Sequence, residues 1–385
     1  MSKLKAFKFR LYPNKTQEVL LNKTFGTVRY FWNNQVAAFK TYNKETNPKP
    51  EFKTSTELRN EIEWMQEVSA AAIQQKEIDF KEFKKQLFSK SRRKKIGFPS
   101  FKKKSNRQSF RLPNQKFKVI GNRIQLEKIG KVQMVVDREL PQGKLMSVTV
   151  SKSSSGQYFA SILIETEINY KPKTNKEVGI DLGIKTFSTQ SDGVEISNPK
   201  FLRKNQAKLR RLQQHLSRKV KGSNRRNKCK LKIAKLHQSI TNQRDWFLHN
   251  YSTQLINNYD KIYIEDLNVS GMVKNHCLAR AISDVSWSKF TSMLLYKADW
   301  YGKDVVKVNR FYASSKTCKC GVKNDDLRLS DREWVCKACG SINQRDLLAA
   351  NNILKEGRRS SGDLTNAETE VTKLMKRLEK QLVIN

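Results

Sequence analysis

Acid is what this chain lacks. Asp and Glu total 36 against 76 Lys and Arg, leaving a formal net charge of +40. A surplus of that size repels itself in a compact state and becomes tolerable when a polyanion neutralises it. Long apolar stretches are also missing. No run approaches the roughly 18 residues of a membrane span, and no signal peptide opens the chain. These absences favour nucleic acid over a membrane surface as the partner and lead us to expect a cytoplasmic location. Histidine is rare, four residues in all, and none lies in an H-E-x-x-H or G-x-S-x-G context. Walker A and dinucleotide fingerprints are absent, so no small-molecule cofactor is expected. Cysteine is sparse outside one cluster. Cys229 and Cys277 stand alone, whereas Cys318, Cys320, Cys336 and Cys339 fall within 22 residues. Scattered pairs suggest disulfides; one tight cluster in a cytosolic-looking chain suggests metal.

What is present is enough for two or three domains: 385 residues, 37% of them hydrophobic, with no internal repeat. Residues 5–12 alternate like a strand, and Pro13-Asn14 ends it. Residues 15–43 carry Leu20, Leu21, Phe25, Val28, Phe31 and Trp32 at helical spacing. A linker with Pro48 and Pro50 precedes a second helical stretch, 55–89. Residues 108–170 hold short alternating runs between Gly, Pro and Ser turns, the spacing of a small barrel. Residues 178–190 read as a strand leading to a hairpin turn at Asp192-Gly193, and 203–257 as two helices broken at 222–224. Residues 260–265 and 305–308 read as short strands. Trp287–Trp300 reads as a helix with Ser283 as its N-cap. A helix at 346–355 follows the cysteines, and a polar tail ends in a charged helical segment, 369–382.

Two blocks concentrate the charge. Residues 90–107 hold nine Lys or Arg and no acid, around Gly97-Phe98-Pro99-Ser100-Phe101. Cations interleaved with aromatics suit a surface that tracks phosphates and stacks bases. The candidates there are Lys94, Lys95, Phe98, Phe101, Lys102, Lys103 and Lys104. Residues 203–232 hold thirteen Lys or Arg and no acid. A solvated hairpin is the bland reading, but uncompensated charge at that density favours phosphate contact by Arg203, Lys204, Arg210, Arg211, Arg218, Lys219, Arg225 and Arg226.

Phosphodiester cleavage is commonly run by two hard cations about 4 Å apart, and hard cations take carboxylate oxygen. Asp181 follows the apolar run Val178-Gly179-Ile180, and Glu265 follows Ile262-Tyr263-Ile264. An acid at the end of a buried strand is ion-paired, solvated or metal-bound. Either one alone reads as a salt bridge; two, on separate strands, point to a metal site. Asp346 alone reads as a favourable charge at a helix N-terminus. Adjacent strand residues face opposite sides, so only one of Glu265 and Asp266 enters such a site, and the residues alone leave that choice open. The four cysteines read as a zinc ribbon, since zinc takes four tetrahedral thiolates from two knuckles. The second knuckle, Cys336-Lys337-Ala338-Cys339, has C-x-x-C spacing; the first, Cys318-Lys319-Cys320, is one residue short.

In this order, Phe9-Arg10-Leu11-Tyr12-Pro13, Gly97-Phe98-Pro99, Gly179-Ile180-Asp181-Leu182-Gly183-Ile184-Lys185, Ile264-Glu265-Asp266-Leu267-Asn268-Val269, Ser314-Ser315-Lys316-Thr317-Cys318, Arg345-Asp346 and Gly362-Asp363-Leu364-Thr365 resemble the TnpB proteins of bacterial insertion sequences. These are RNA-guided DNA endonucleases related to the single-effector type V CRISPR nucleases. The resemblance implies an α+β multidomain fold. A wedge β-barrel (1–14 and 93–172) would be split by a helical recognition insertion (15–92). An RNase H-like (RuvC) nuclease core (173–309 and 343–356) would carry an inserted zinc ribbon (310–342), with a charged tail at 357–385. It implies Asp181, Glu265 and Asp346 as the acidic triad, choosing Glu265 over Asp266. It further implies two Mg²⁺ ions, one Zn²⁺, a structured guide RNA from the element's end, and double-stranded target DNA with a short flanking motif. The chain departs from the family pattern in the short first knuckle, in Gln344 where an acid is usual, and in Leu348 where Asn is usual. These changes motivate an alternative, a guided DNA-binding repressor that cuts weakly or not at all. A transposition accessory protein is the third reading.

Overall fold

The computed structural model describes residues 2–41, 46, 51–89, 97–105, 107–276, 278–328 and 331–361. The expected helix at 369–382 lies outside them, as do Lys94 and Lys95. The chain divides into two compact units, Met1–Ile168 with Lys219–Lys235, and Asn169–Arg218 with Leu236–Asn385.

The first unit is built on a seven-stranded antiparallel sheet that curls into a nearly closed barrel. Its strands are β1 (Ser2–Tyr12), β2 (Gln108–Pro113), β3 (Phe117–Ile120), β4 (Arg123–Leu126), β5 (Gly130–Val135), β6 (Lys144–Lys152) and β7 (Tyr158–Glu167), in the order β2-β6-β7-β1-β5-β4-β3. Period-two alternation sends Phe9, Leu11, Phe110, Leu112, Val148, Val150, Ala160 and Ile162 into one core. Helix α1 (Lys15–Lys40) starts where Pro13 ends β1. The Asn14 side chain accepts from the Gln17 backbone N–H at 2.8 Å, and the Gln17 side chain accepts from Asn14 N–H at 3.1 Å. The helical stretch expected at 55–89 is interrupted. It forms α2 (Ser55–Glu61), a 3₁₀ turn (Glu63–Glu67) and α3 (Ala70–Phe88). Ile62 turns extended, with φ −126°, and Met65 is buried beside Phe31 and Leu58. Burial of one methionine outweighs continuation of the helix there.

The second unit centres on a five-stranded sheet of β8 (Glu177–Leu182), β9 (Thr186–Gln190), β10 (Glu195–Ser197), β11 (Lys261–Glu265) and β12 (Asp304–Val308), in the order β10-β9-β8-β11-β12. β11 runs parallel to both β8 and β12, while β8, β9 and β10 are antiparallel neighbours. The segment 178–190, expected as one strand, is two, joined around Gly183. The long helical pair is α4 (Phe201–Ser217) and α5 (Asn224–Asn258), separated at 218–223 rather than 222–224; α5 through Lys235 belongs to the first unit. Short helices α6 (Val269–Met272) and α7 (Ala279–Val285) precede α8 (Trp287–Tyr301). Ser283 lies inside α7, so it is not the N-cap of α8; Ser286 stands at that position with φ 60° and makes no side-chain cap bond. The hairpin β13 (Glu333–Val335) and β14 (Ile342–Gln344) leads into α9 (Arg345–Ser360).

Strands β8 and β11 are covered on both faces, which is why each reads as an unbroken apolar run. One face packs Val178, Ile180, Ile262 and Ile264 against Leu248, Leu255, Trp287, Phe290 and Leu294. The other meets α9. A Cβ at Gly179 would collide with the backbone of Ala350 and Leu354, and one at Gly357 with the Tyr263 ring. These two glycines let α9 lie flush on the sheet. Among the described residues no helix is long and apolar enough to cross a membrane.

Candidate active site

The parallel register pairs Ile180 with Ile264, which brings Asp181 and Glu265 to the same end of adjacent strands. The close seating of α9 carries Asp346, in its first turn, toward the same point. The electrostatics register this convergence. Burial, followed by the charges of Glu265 and Asp346, pushes the Asp181 carboxyl from its usual 3.8 up to about 7, against a smaller opposing pull from Arg345 and Arg332. Asp181 thus feels two carboxylates that lie far from it in sequence, Glu265 and Asp346.

Each remaining acid has a protein partner. The Ser314 hydroxyl donates to Glu265 Oε1 at 2.6 Å. Arg332 Nη1 donates to both carboxylate oxygens of Asp346, at 3.0 and 2.9 Å. Asp266 faces elsewhere. Arg310 and Lys307 bind its carboxylate and hold its pKa below the usual carboxylate range. Arg332 carried no signal in the sequence, being one cation among 76. Among the described residues the four cysteines form a group close enough to hold a metal ion, and the three acids are not drawn together as tightly. Their donor set nevertheless suits a hard divalent cation, which takes carboxylate oxygen, and burial together with the two neighbouring charges raises the Asp181 carboxyl.

The four cysteine sulfurs lie within 4.8 Å of one another. Cys318 and Cys339 are 3.7 Å apart, as are Cys320 and Cys336. A tetrahedron with Zn–S bonds of about 2.3 Å has edges of roughly 3.8 Å, so the set fits zinc despite the short first knuckle. Backbone bonds shape both knuckles: Gly321 N–H donates to the Cys318 carbonyl and Gly340 N–H to that of Cys336, each at 2.9 Å. The Ser341 hydroxyl lies 3.2 Å from Cys318 Sγ and 3.3 Å from Cys339 Sγ. It leads the groups that bring the Cys318 thiol down to about 6, toward the thiolate that metal requires. The second knuckle, Cys336–Cys339, sits in the turn of the β13–β14 hairpin that leads into α9 and Asp346, and Arg345 N–H donates to the Arg332 carbonyl at 2.8 Å. Leu348, unusual for the pattern, packs with Cys318, Leu327, Trp334 and Cys336. Gln344 is exposed and makes no cap bond to α9.

The basic candidates fall into different situations. Lys103, Lys104, Arg203, Lys204, Arg210, Arg211, Arg218 and Arg225 are exposed. Lys102 lies 3.7 Å over the Trp32 ring, and burial, with Lys76 adding repulsion, lowers its pKa to about 8. Phe101 takes Lys40 over its ring at 4.3 Å, and Phe98 packs 5.9 Å from Phe39. Arg226 donates to the Lys219 carbonyl at 2.8 Å, and both are half-buried.

With the geometry in place, comparison with known proteins gives three family matches. Residues 160–276 match a profile described as "Probable transposase", 287–353 a "Cas12f1-like, TNB domain", and 1–47 a "Helix-turn-helix domain". In the structure residues 2–40 form β1 and α1, a strand and one long helix. A Streptomyces pristinaespiralis protein named "Putative RNA-guided DNA endonuclease" is 36% identical over 371 residues, spanning 93% of this chain and 90% of the relative. Its Escherichia coli K12 counterpart, "Putative RNA-guided DNA endonuclease InsQ", is 33% identical over 93% of each. A solved Cas12f1-sgRNA-target DNA complex shares the fold, with a TM-score of 0.52 at 13% identity, covering 91% of this chain and 98% of that one. Identity at this level across nine-tenths of both proteins is a family relationship, and the chain belongs to the TnpB family.

Proposed function

We propose that this chain is an RNA-guided DNA endonuclease encoded by a transposable element, with Asp181, Glu265 and Asp346 as its cutting site. The observation that carries the proposal is the convergence of three sequence-distant carboxylates, two of which add to burial in lifting Asp181 to about 7. The relatives' names and the +40 charge support it. On this reading residues 1–14 and 93–172 are the wedge barrel, 15–92 the recognition insertion, 173–309 and 343–356 a RuvC-like core, and 310–342 a zinc ribbon. The exposed cations at 203–218 and 103–104 hold RNA and heteroduplex through phosphates, while base pairing supplies sequence specificity.

Two Mg²⁺ ions, held by Asp181, Glu265 and Asp346, would activate water and stabilise the leaving oxygen. The protein's own part is positional. Strands β8 and β11 fix Asp181 and Glu265, Ser314 orients Glu265, and the cysteine hairpin sets Arg332 against Asp346. The test is to co-express the chain with its flanking DNA, sequence the RNA that co-purifies, and assay Mg²⁺-dependent cutting of matched DNA. One defined RNA from the element's end is expected, with cutting abolished and RNA retained in Asp181→Ala. Retained RNA with no cutting by the unmutated protein would instead favour a guided repressor.

A further inference from the structure

Strand β12 ends at Val308, and the loop that follows, Asn309 to Ser314, returns to the acidic site. It is pinned on both sides of its centre. The Asn309 side chain accepts from Phe311 N–H at 2.9 Å, and the Asn309 carbonyl from Tyr312 N–H at 3.0 Å. Arg310 is paired with Asp266, the residue after Glu265. Ser314 binds Glu265 through its hydroxyl, and its carbonyl accepts from Asn352 of α9 at 2.8 Å. Tyr312 packs inward against the cluster of Tyr263, Val308 and Ile353.

Between these anchors stands Phe311, which is 88% exposed, the highest value for any large apolar side chain among the described residues. The other exposed aromatics of the basic segment are already in contact, Phe98 with Phe39 and Phe101 with Lys40. Among the described residues Phe311 meets neither a ring nor a cation. A loop fastened this firmly has no need of an apolar ring in solvent for its own stability. Lys307, near the end of β12, and Arg310, the residue before Phe311, share the single carboxylate of Asp266, leaving one positive charge in surplus on this stretch of chain. A free aromatic face on a loop that also carries surplus cation can take an unpaired base by stacking and its phosphate by charge.

We propose that Phe311 is a nucleobase-stacking subsite, against which an unpaired base of the strand to be cut lies, with the adjoining phosphate over Lys307 and Arg310. The subsite rests on the nuclease reading of the neighbouring acids and deepens it. It accounts for how a flexible single strand is held still at a site whose own groups, being anionic, repel it.

The test uses the full chain with its co-purified RNA, in an Asp181→Ala background so that the strand survives. The probes are fluorescein-labelled oligothymidylate and an abasic strand of the same length. The parent is expected to prefer the base-bearing strand. Phe311→Ala loses roughly ten-fold in affinity for that strand and keeps its affinity for the abasic one. Phe311→Trp retains the preference, and Phe311→Leu, apolar but without a π face, does not. Photocrosslinking with 5-iododeoxyuridine maps to the peptide bearing Phe311. A base preference unchanged in Phe311→Ala, a Leu variant equal to the parent, or crosslinks confined elsewhere would each overturn the subsite. Because the readout is binding, a protein that fails to cut matched DNA removes the nuclease reading separately.

Discussion

Arg332 holds Asp346 by both carboxylate oxygens, at 3.0 and 2.9 Å from one guanidinium nitrogen. The arginine stands at the foot of the cysteine hairpin and the aspartate opens α9, so the contact ties the hairpin to the candidate catalytic centre. Groups that orient a ligand residue commonly change activity by ten- to a hundred-fold. Arg332→Ala should therefore lower the cleavage rate by roughly that factor, with RNA binding unaltered. Arg332→Lys, which keeps the charge but on a shorter side chain with a different reach, should recover only part. Single-turnover cleavage of matched DNA measures both; an Ala variant at the unmutated rate refutes the role.

Asp181 supplies a pH signature that needs no substrate. Its folded carboxyl titrates at about 7 against a usual 3.8. The folded chain therefore binds this proton more tightly than the unfolded chain does. The stability it contributes is full below pH 3.8 and lost as pH rises through about 7. Asp181→Asn cannot ionise, so in chelator its melting temperature should gain on the unmutated protein between pH 5 and 8, ending above it. A difference that stays flat across that window would show that burial and the neighbouring acids do not raise the Asp181 carboxyl.

Gly179 tests the seating of α9. A methyl group there meets the backbone of Ala350 and Leu354, and backbone has little room to yield. Gly179→Ala should cost about 1–3 kcal/mol of stability by overpacking. Because the displaced helix carries Asp346, cutting should fall further than the folded fraction does. Denaturant unfolding and cleavage measured side by side separate the two effects, and a variant as stable and active as its parent would contradict the packing.

Elemental analysis of the purified protein should find one zinc per chain. Cys336→Ser should lose it and, since the same hairpin presents Arg332 to Asp346, should also lose most cutting. Zinc retained in Cys336→Ser would mean that the tetrahedral set is not the binding site. Zinc lost with full cutting would disconnect the module from the acids.

The sequence determined a good deal by itself. Charge imbalance pointed to a polyanion as the expected partner, and alternation over short runs marked the barrel strands. The apolar runs 178–180 and 262–264 announced strands, and cysteine spacing survived the loss of one residue in the first knuckle because Sγ positions adjust by rotation about a single bond. Local rules were weaker where burial decided the outcome. The interruption at Ile62 depends on Met65 reaching the core, and Ser283 has the chemistry of a cap but lies within α7. Only the tertiary structure separated Glu265 from Asp266 on physical grounds. Their side chains leave the end of one strand in different directions, one toward Asp181 and Ser314, the other toward Arg310 and Lys307. Arg332 and Phe311 were likewise invisible. An ion pair spanning 14 residues and the solvent exposure of one ring are properties of how elements meet, and a linear string records composition and period but not proximity.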